Sequence, residues 1–209
     1  MRLGLLADIH EEVEHLNWAI RTLRDAGVDR FLLLGDLYEH GGRLDEMLDL
    51  LEPLGAEGVW GNHDYGLCVD VSEWVRGRFS RRVLEYFGRL KPAIRIGGDI
   101  YQHIEPYLDP SDLADIWSYQ AEGLLDPARS FGEASFDRAF LGHIHRWAAL
   151  TPDGPLDWSG ERPVVLDPDR RYLIVIHGVQ QGYCALFDTD RRELTPFRRD
   201  GTGPAGPLR

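Results

Sequence analysis

Cysteine is scarce in this chain of 209 residues: Cys68 and Cys184 stand far apart, and neither belongs to a C-x-x-C pair. That excludes a disulfide framework and a cysteine-rich zinc site, and it leaves two reduced thiols. Long apolar runs are also missing. None approaches the roughly 18 residues that a membrane span requires. The run after Arg2, from Leu3 to Ala7, is too short for the apolar region of a signal peptide. The expectation is a cytoplasmic protein that starts at Met1 and has no membrane partner. Basic charge is in short supply as well, with 23 Lys and Arg against 35 Asp and Glu, a net charge of −12. Nonspecific affinity for nucleic acid comes from neutralising phosphates with Lys and Arg, so extended nucleic-acid binding is disfavoured. A small phosphorylated substrate stays compatible with this balance, because bound divalent cations reverse the local field.

What the chain does have is the composition of a globular protein, 43% hydrophobic and 28% charged. No internal repeat or linker divides it. One domain is expected over residues 1–200, followed by a Gly/Pro-rich, disordered tail at 201–209. The first third alternates short apolar runs with helical periodicity. Arg2–Ala7, Arg30–Leu34 and Gly58–Trp60 read as buried strands. Val13–Ala26 and Leu44–Leu51 carry apolar residues at helical spacing, ended by Gly27 and Pro53. This order implies βαβ units and a mostly parallel sheet. Val69 to Leu90 reads as one amphipathic helical stretch, and Ala93–Ile96 with Asp99–Ile104 as a hairpin turning at Gly97-Gly98. Ser111–Glu122 reads as a further helix. Asp137–Leu141 is a strand, and the remainder is β-rich: Trp147–Leu150, Val164–Leu166, Tyr172–Ile176, Tyr183–Asp188 and Glu193–Phe197.

Polar clusters follow the strands. Asp8-Ile9-His10, Gly35-Asp36 and Gly61-Asn62-His63-Asp64 each come directly after one, at the carboxyl edge where open α/β sheets bind ligands. Gly142-His143-Ile144-His145 repeats the position later in the chain. Side chains two apart in an extended segment share a side, so Asp8 with His10, or His143 with His145, can face one ion. A lone D-x-H is weak evidence; the ordered set is not. With the isolated His103, the series D-x-H, G-D, G-N-H-D, H, G-H-x-H resembles the calcineurin-like metallophosphoesterases, in the form of a small single-domain bacterial member. The resemblance covers at least Arg2 to His145.

The resemblance implies an α/β fold, a two-sheet β-sandwich flanked by helices, with the metal site at the carboxyl ends of strands. It implies two divalent ions per chain. Asp8, His10 and His145 would bind the first and Asn62, His103 and His143 the second, with Asp36 bridging them. Mn, Fe, Zn, Co and Ni all suit such ligands, and Mn is favoured for activity. His63 would face the substrate as general acid and Asp64 would orient it. Two cations lower the pKa of a bridging water, so hydroxide can attack phosphorus directly and hydrolyse a phosphomonoester or phosphodiester. Two other functions fit the same fold: a non-catalytic metal-binding scaffold, and a nuclease or nucleotide hydrolase. The retention of His63 and every ligand position favours the enzyme. A homo-oligomer stays open.

Several residues stand outside this scheme. His103 lacks the glycine that often follows it in the family, and a hairpin histidine without metal is the alternative. His15 is expected on the surface of the first helix, and His40 as loop polarity. His177 replaces part of the N-P-G-S run common in small bacterial relatives, which puts that substrate contact in doubt. Glu11-Glu12 stand where the family commonly has G-N, with a possible effect on access to the first metal. Trp117 and Tyr119 lie in the insert after His103, where bulk favours a structural role over a pocket lining. Arg76, Arg78, Arg81 and Arg82 read as a solvated face rather than a steering patch.

Overall fold

Strands Arg2–Leu6 (β1) and Arg30–Leu34 (β2) are buried along almost their whole length, and alternate side chains serve two different cores. Leu3, Leu5, Leu32 and Leu34 point to one side, while Leu6, Phe31 and Leu33 point to the other. That is the period-2 geometry of a strand covered on both faces. A computed structural model describes residues 1–118 and 125–199 of the chain. Its two sheets of six strands stack face to face, with helices outside.

The first sheet runs β3-β2-β1-β11-β12-β9. β1, β2 and Glu57–Val59 (β3) are parallel, and Tyr183–Asp188 (β11), Glu193–Arg198 (β12) and Val164–Val165 (β9) continue it antiparallel. Helices Val13–Asp25 (α1) and Leu44–Leu51 (α2) cover its outer face through Leu16, Ile20, Leu23, Met47 and Leu48. The second sheet runs β4-β5-β6-β10-β7-β8. Asp99–Gln102 (β5), Arg138–Leu141 (β6) and Tyr172–Val175 (β10) are its parallel centre. Ala93–Ile96 (β4), Ala148–Thr151 (β7) and the short Gly154–Pro155 (β8) flank them antiparallel. Tyr101, Phe140 and Ile174 meet Leu3, Leu5 and Phe187 between the sheets, with Tyr101 stacked on Phe140 at 5.0 Å.

The expected hairpin is present as β4–β5, turning at Gly97. After a short helix at Tyr65–Cys68 (α3), the single helical stretch expected over Val69–Leu90 is corrected to two short helices, Glu73–Arg78 (α4) and Arg81–Phe87 (α5). Two serine N-caps break it: Ser72 accepts from Val75 N and Ser80 from Val83 N. The helix after His103 begins at Leu113 and is described to Ser118 (α6); Tyr119 lies outside the described residues, as does the tail 201–209. Pro127–Glu133 (α7) packs Phe131 against the outer face of the second sheet. Among the described residues no helix is long and apolar enough to cross a membrane.

Candidate metal centre

Each parallel trio ends at the same edge of the sandwich. Asp8 and His10 follow β1, Asp36 follows β2, and Asn62 follows β3; His103 follows β5, and His143 and His145 follow β6. Backbone bonds hold the strand ends together within each sheet, Asp8 N donating to Gly35 O and Gly142 N to His103 O, and a side chain ties the two sheets, His103 Nδ1 donating to Leu34 O at 2.7 Å. The turns are tight enough to force five of these residues to positive φ: Asp8 (50°), His10 (46°), Asp36 (53°), His143 (71°) and His145 (51°). Such backbone is rare outside glycine and concentrates where function fixes a side chain.

The ligand-type atoms form three overlapping groups, each within 4.8 Å: Asp8, His10, Asp36 and His145; Asp36, His103 and His143; and His10, Glu39 and His63. Asp36 belongs to the first two, and His10 to the first and third. Asp36 Oδ1 accepts from His63 N at 2.9 Å, while Oδ2 lies 3.2 Å from His103 Nε2 and 3.7 Å from His10 Nε2. In the first group His145 Nε2 is 3.3 Å from both Asp8 Oδ1 and His10 Nε2. In the second, His103 Nε2 is 3.1 Å from Asn62 Oδ1 and 3.2 Å from His143 Nδ1. Asn62 is 2% exposed, and its Nδ2 has no hydrogen-bond partner.

This chemistry fits a cation better than a hydrogen-bond network. Because His103 Nδ1–H donates to the Leu34 carbonyl, Nε2 is left as the free nitrogen facing carboxylate, amide oxygen and imidazole. His10 is fixed the same way: Nδ1–H donates to Glu39 Oε2 at 2.7 Å, and Nε2 turns inward. Acceptors outnumber donors at the centre, and divalent ions are what neutral imidazole, carboxylate and amide oxygen bind. Without an ion, protons respond to the same field. Burial pulls His103 down, but the charges of Asp36 and Asp8 and the bonds to Asp36 and to Leu34 O together outweigh it and raise the group to about 9. Burial and the charge of His103 push His143 to about 3. Burial also raises Asp36, but His103, His10 and His63 hold it below the usual carboxylate range.

Two expectations about neighbours are corrected. Asp64 was expected to orient His63. Its carboxylate instead accepts from Leu37 N and Tyr38 N at 2.9 Å and Gly61 N at 3.0 Å, locking the second and third loops together. Burial, and then the Asp36 charge, raise it to about 7. The group within reach of His63 Nδ1 is Glu39 Oε2, at 3.2 Å. Glu39 thus joins His10 and His63, a role with no sequence signal beyond proximity to Asp36. Gln180 was also missed; its Nε2 lies 2.7 Å from His145 Nδ1.

The second correction concerns Glu11. Rather than standing in the way of the first group, it is buried, and its carboxylate accepts four backbone N–H groups, from Glu39, His40, Gly41 and Arg43, at 2.6–3.0 Å. Elsewhere, His177 is stacked on Tyr183 at 3.9 Å, accepts from Gly178 N, and is pushed by burial to about 4. His15 Nδ1 bonds Gln180 O, and His40 is exposed. Arg82 pairs with Asp49 and Glu52, and Arg81 with Glu85, so these cations are engaged by the protein's own acids. Trp117 is 40% exposed, not core, with its ring 6.0 Å from that of His63.

A two-sheet sandwich with an acceptor-lined cluster at its parallel strand ends has the architecture of a metal-dependent enzyme. The chain belongs to the calcineurin-like phosphoesterase family, whose model matches residues 1–178. It is therefore a metal-dependent phosphoester hydrolase by family and fold. It is similar to a solved metallophosphoesterase from Sphaerobacter thermophilus, with TM-score 0.75 at 25% identity over 96% of this chain and 89% of that one. An uncharacterized protein of Methanocaldococcus jannaschii is 27% identical, over 90% of this chain and 83% of its own length. A solved archaeal phosphodiesterase shares the fold, with TM-score 0.55 at 16% identity over 95% and 100% of the two chains.

Proposed function

We propose that the chain hydrolyses phosphomonoesters or phosphodiesters of small molecules with two divalent ions, of which Mn best supports activity. The observation that carries the reading is the shared Asp36: its carboxylate belongs to the group of Asp8, His10 and His145 and to that of His103 and His143. Asp8, His10 and His145 would hold one ion and Asn62, His103 and His143 the other, with Asp36 between. When bound, the ions supply Lewis acidity, which activates water and neutralises phosphate oxygens.

The chain's own groups do the rest. His63 stands at the margin of the cluster, grouped with His10 and Glu39 but not with Asp36, and its ring is edge-on to His10 at 4.7 Å. Glu39 Oε2, 3.2 Å from His63 Nδ1, would hold the ring in place. As general acid, His63 would give a proton from Nε2 to the leaving oxygen as the P–O bond breaks and water adds to phosphorus, releasing the alcohol and the phosphate or phosphomonoester. Asp64 and Glu11 hold the loops that carry these groups by taking up seven backbone N–H donors between them. No covalent enzyme intermediate is needed.

The test is hydrolysis of bis-p-nitrophenyl phosphate and p-nitrophenyl phosphate by metal-stripped protein, with and without added Mn²⁺. Mn-dependent turnover of either supports the reading, and the preferred ester separates diesterase from monoesterase. Two ions bound per chain with no turnover of either ester would favour a scaffold instead.

A further inference from the structure

Among the described residues, the segment after His103 leaves two large apolar side chains open, Leu113 at 56% and Trp117 at 40%, and the ring of Trp117 is the one set against His63. In α6, Ile116 is fully buried in the core, whereas its neighbour Trp117 keeps 40% of its surface open. The open ring lies beside His63, with centroids 6.0 Å apart and planes inclined by 34°. This position is built. Trp60, directly before Gly61-Asn62-His63-Asp64, donates its buried Nε1–H to Pro110 O at 2.9 Å. Tyr65, directly after the same run, donates its hydroxyl to Ser111 O at 2.8 Å. The loop that carries His63 is therefore pinned on both sides to the segment that carries Trp117. Asp112 Oδ1 then accepts from Ala114 N and Asp115 N, which starts the helix.

We propose that Trp117 is a stacking platform for a planar ring on the leaving-group side of the substrate, so that the ester cleaved is an aryl or nucleoside phosphate. The inference rests on the hydrolase reading, in which His63 faces the leaving oxygen. A π-face held open beside the proton donor recognises what hangs from that oxygen. Tryptophan does this without regard to ring substituents, because every planar base or aryl group has a face to offer. An alkyl leaving group gains little there.

The test compares phosphonates, in which carbon replaces the ester oxygen and no hydrolysis intrudes. Benzylphosphonate and ethylphosphonate are titrated by calorimetry into Mn-loaded protein. The wild type is expected to bind the benzyl compound roughly tenfold more tightly. Trp117→Ala should bring the ratio near one, and Trp117→Phe should keep most of it. Equal affinities in the wild type overturn the proposal, as does a ratio that survives in Trp117→Ala. An equal loss of affinity for both phosphonates in that variant would mean that the ring only holds His63, which also overturns it. The methylene phosphonate analogue of AMP separates the two ring sources: tighter binding than benzylphosphonate assigns a nucleoside, and equal or weaker binding assigns an aryl group. The ratio is read without turnover, so it decides the role of Trp117 independently of whether p-nitrophenyl esters are hydrolysed.

Discussion

Glu11→Gln tests whether one buried carboxylate holds the loop beside the metal cluster. Glu11 Oε1 accepts from Glu39 N, His40 N and Gly41 N, and Oε2 from Arg43 N. The folded pKa is lowered: burial alone would raise it, but these four backbone donors outweigh the burial. Glutamine keeps one acceptor oxygen, loses the charge, and turns an NH₂ towards Arg43 N or towards the other three donors. A hydrogen bond to a charged group contributes about 1.5–3 kcal/mol, so losing one outright and weakening three should cost about 3 kcal/mol. For a chain of this size that lowers Tm by about 6–12 °C. Urea unfolding at pH 7 should show a lower midpoint at unchanged slope. The sign with pH follows from the lowered pKa. The carboxylate's contribution is fully present above its ordinary value of 4.5 and is lost as pH falls through the folded value, so the gap between wild type and variant should shrink in acid. Because Glu39 rides on this loop, kcat should fall with stability while metal content holds. A stability loss under about 0.5 kcal/mol at pH 7, or a gap that widens below pH 4.5, would refute the clamp. Glu11→Gly is the companion, since Glu11 sits at φ +59° and glycine relieves about 1 kcal/mol of left-handed strain. It should still be less stable than wild type.

Three further substitutions address the cluster. Asp36→Asn should abolish metal-dependent turnover and lower the bound metal below two ions per chain, read by elemental analysis; full activity would rule out a shared carboxylate. His63→Ala should lower kcat by roughly 10²–10⁴-fold with metal content unchanged, as for loss of a general acid, and loss of both ions would make His63 a ligand instead. A Cβ at Gly61 would meet Asp36 N at 2.6 Å and its Oδ1 closer still, so Gly61→Ala should displace Asp36 and weaken metal binding; calorimetric Mn²⁺ affinity equal to wild type would show that the loop can yield.

Much of the site is legible in the sequence because its residue types are chemically demanding and local. Asp8 and His10, or His143 and His145, are two apart, and each polar cluster follows an apolar run that can only be a buried strand. The parallel order then brings those strand ends to one edge, whatever the details of packing. The helical reading of Val69–Leu90 failed because the caps at Ser72 and Ser80 compete with periodicity, and a short side-chain bond is enough to end a helix. The rest belongs to tertiary structure. Glu39 reaches His63 across 24 residues, Gln180 reaches His145 across 35, and the partner of Asp64 is loop backbone rather than a ring. Glu11 and Glu12 are adjacent acids in the sequence, yet one is buried against four amides and the other is exposed. Sequence determines which groups arrive at the strand ends, because period and apolar runs are local. Which groups meet there depends on the left-handed turns and loop closures that only the packed sandwich enforces.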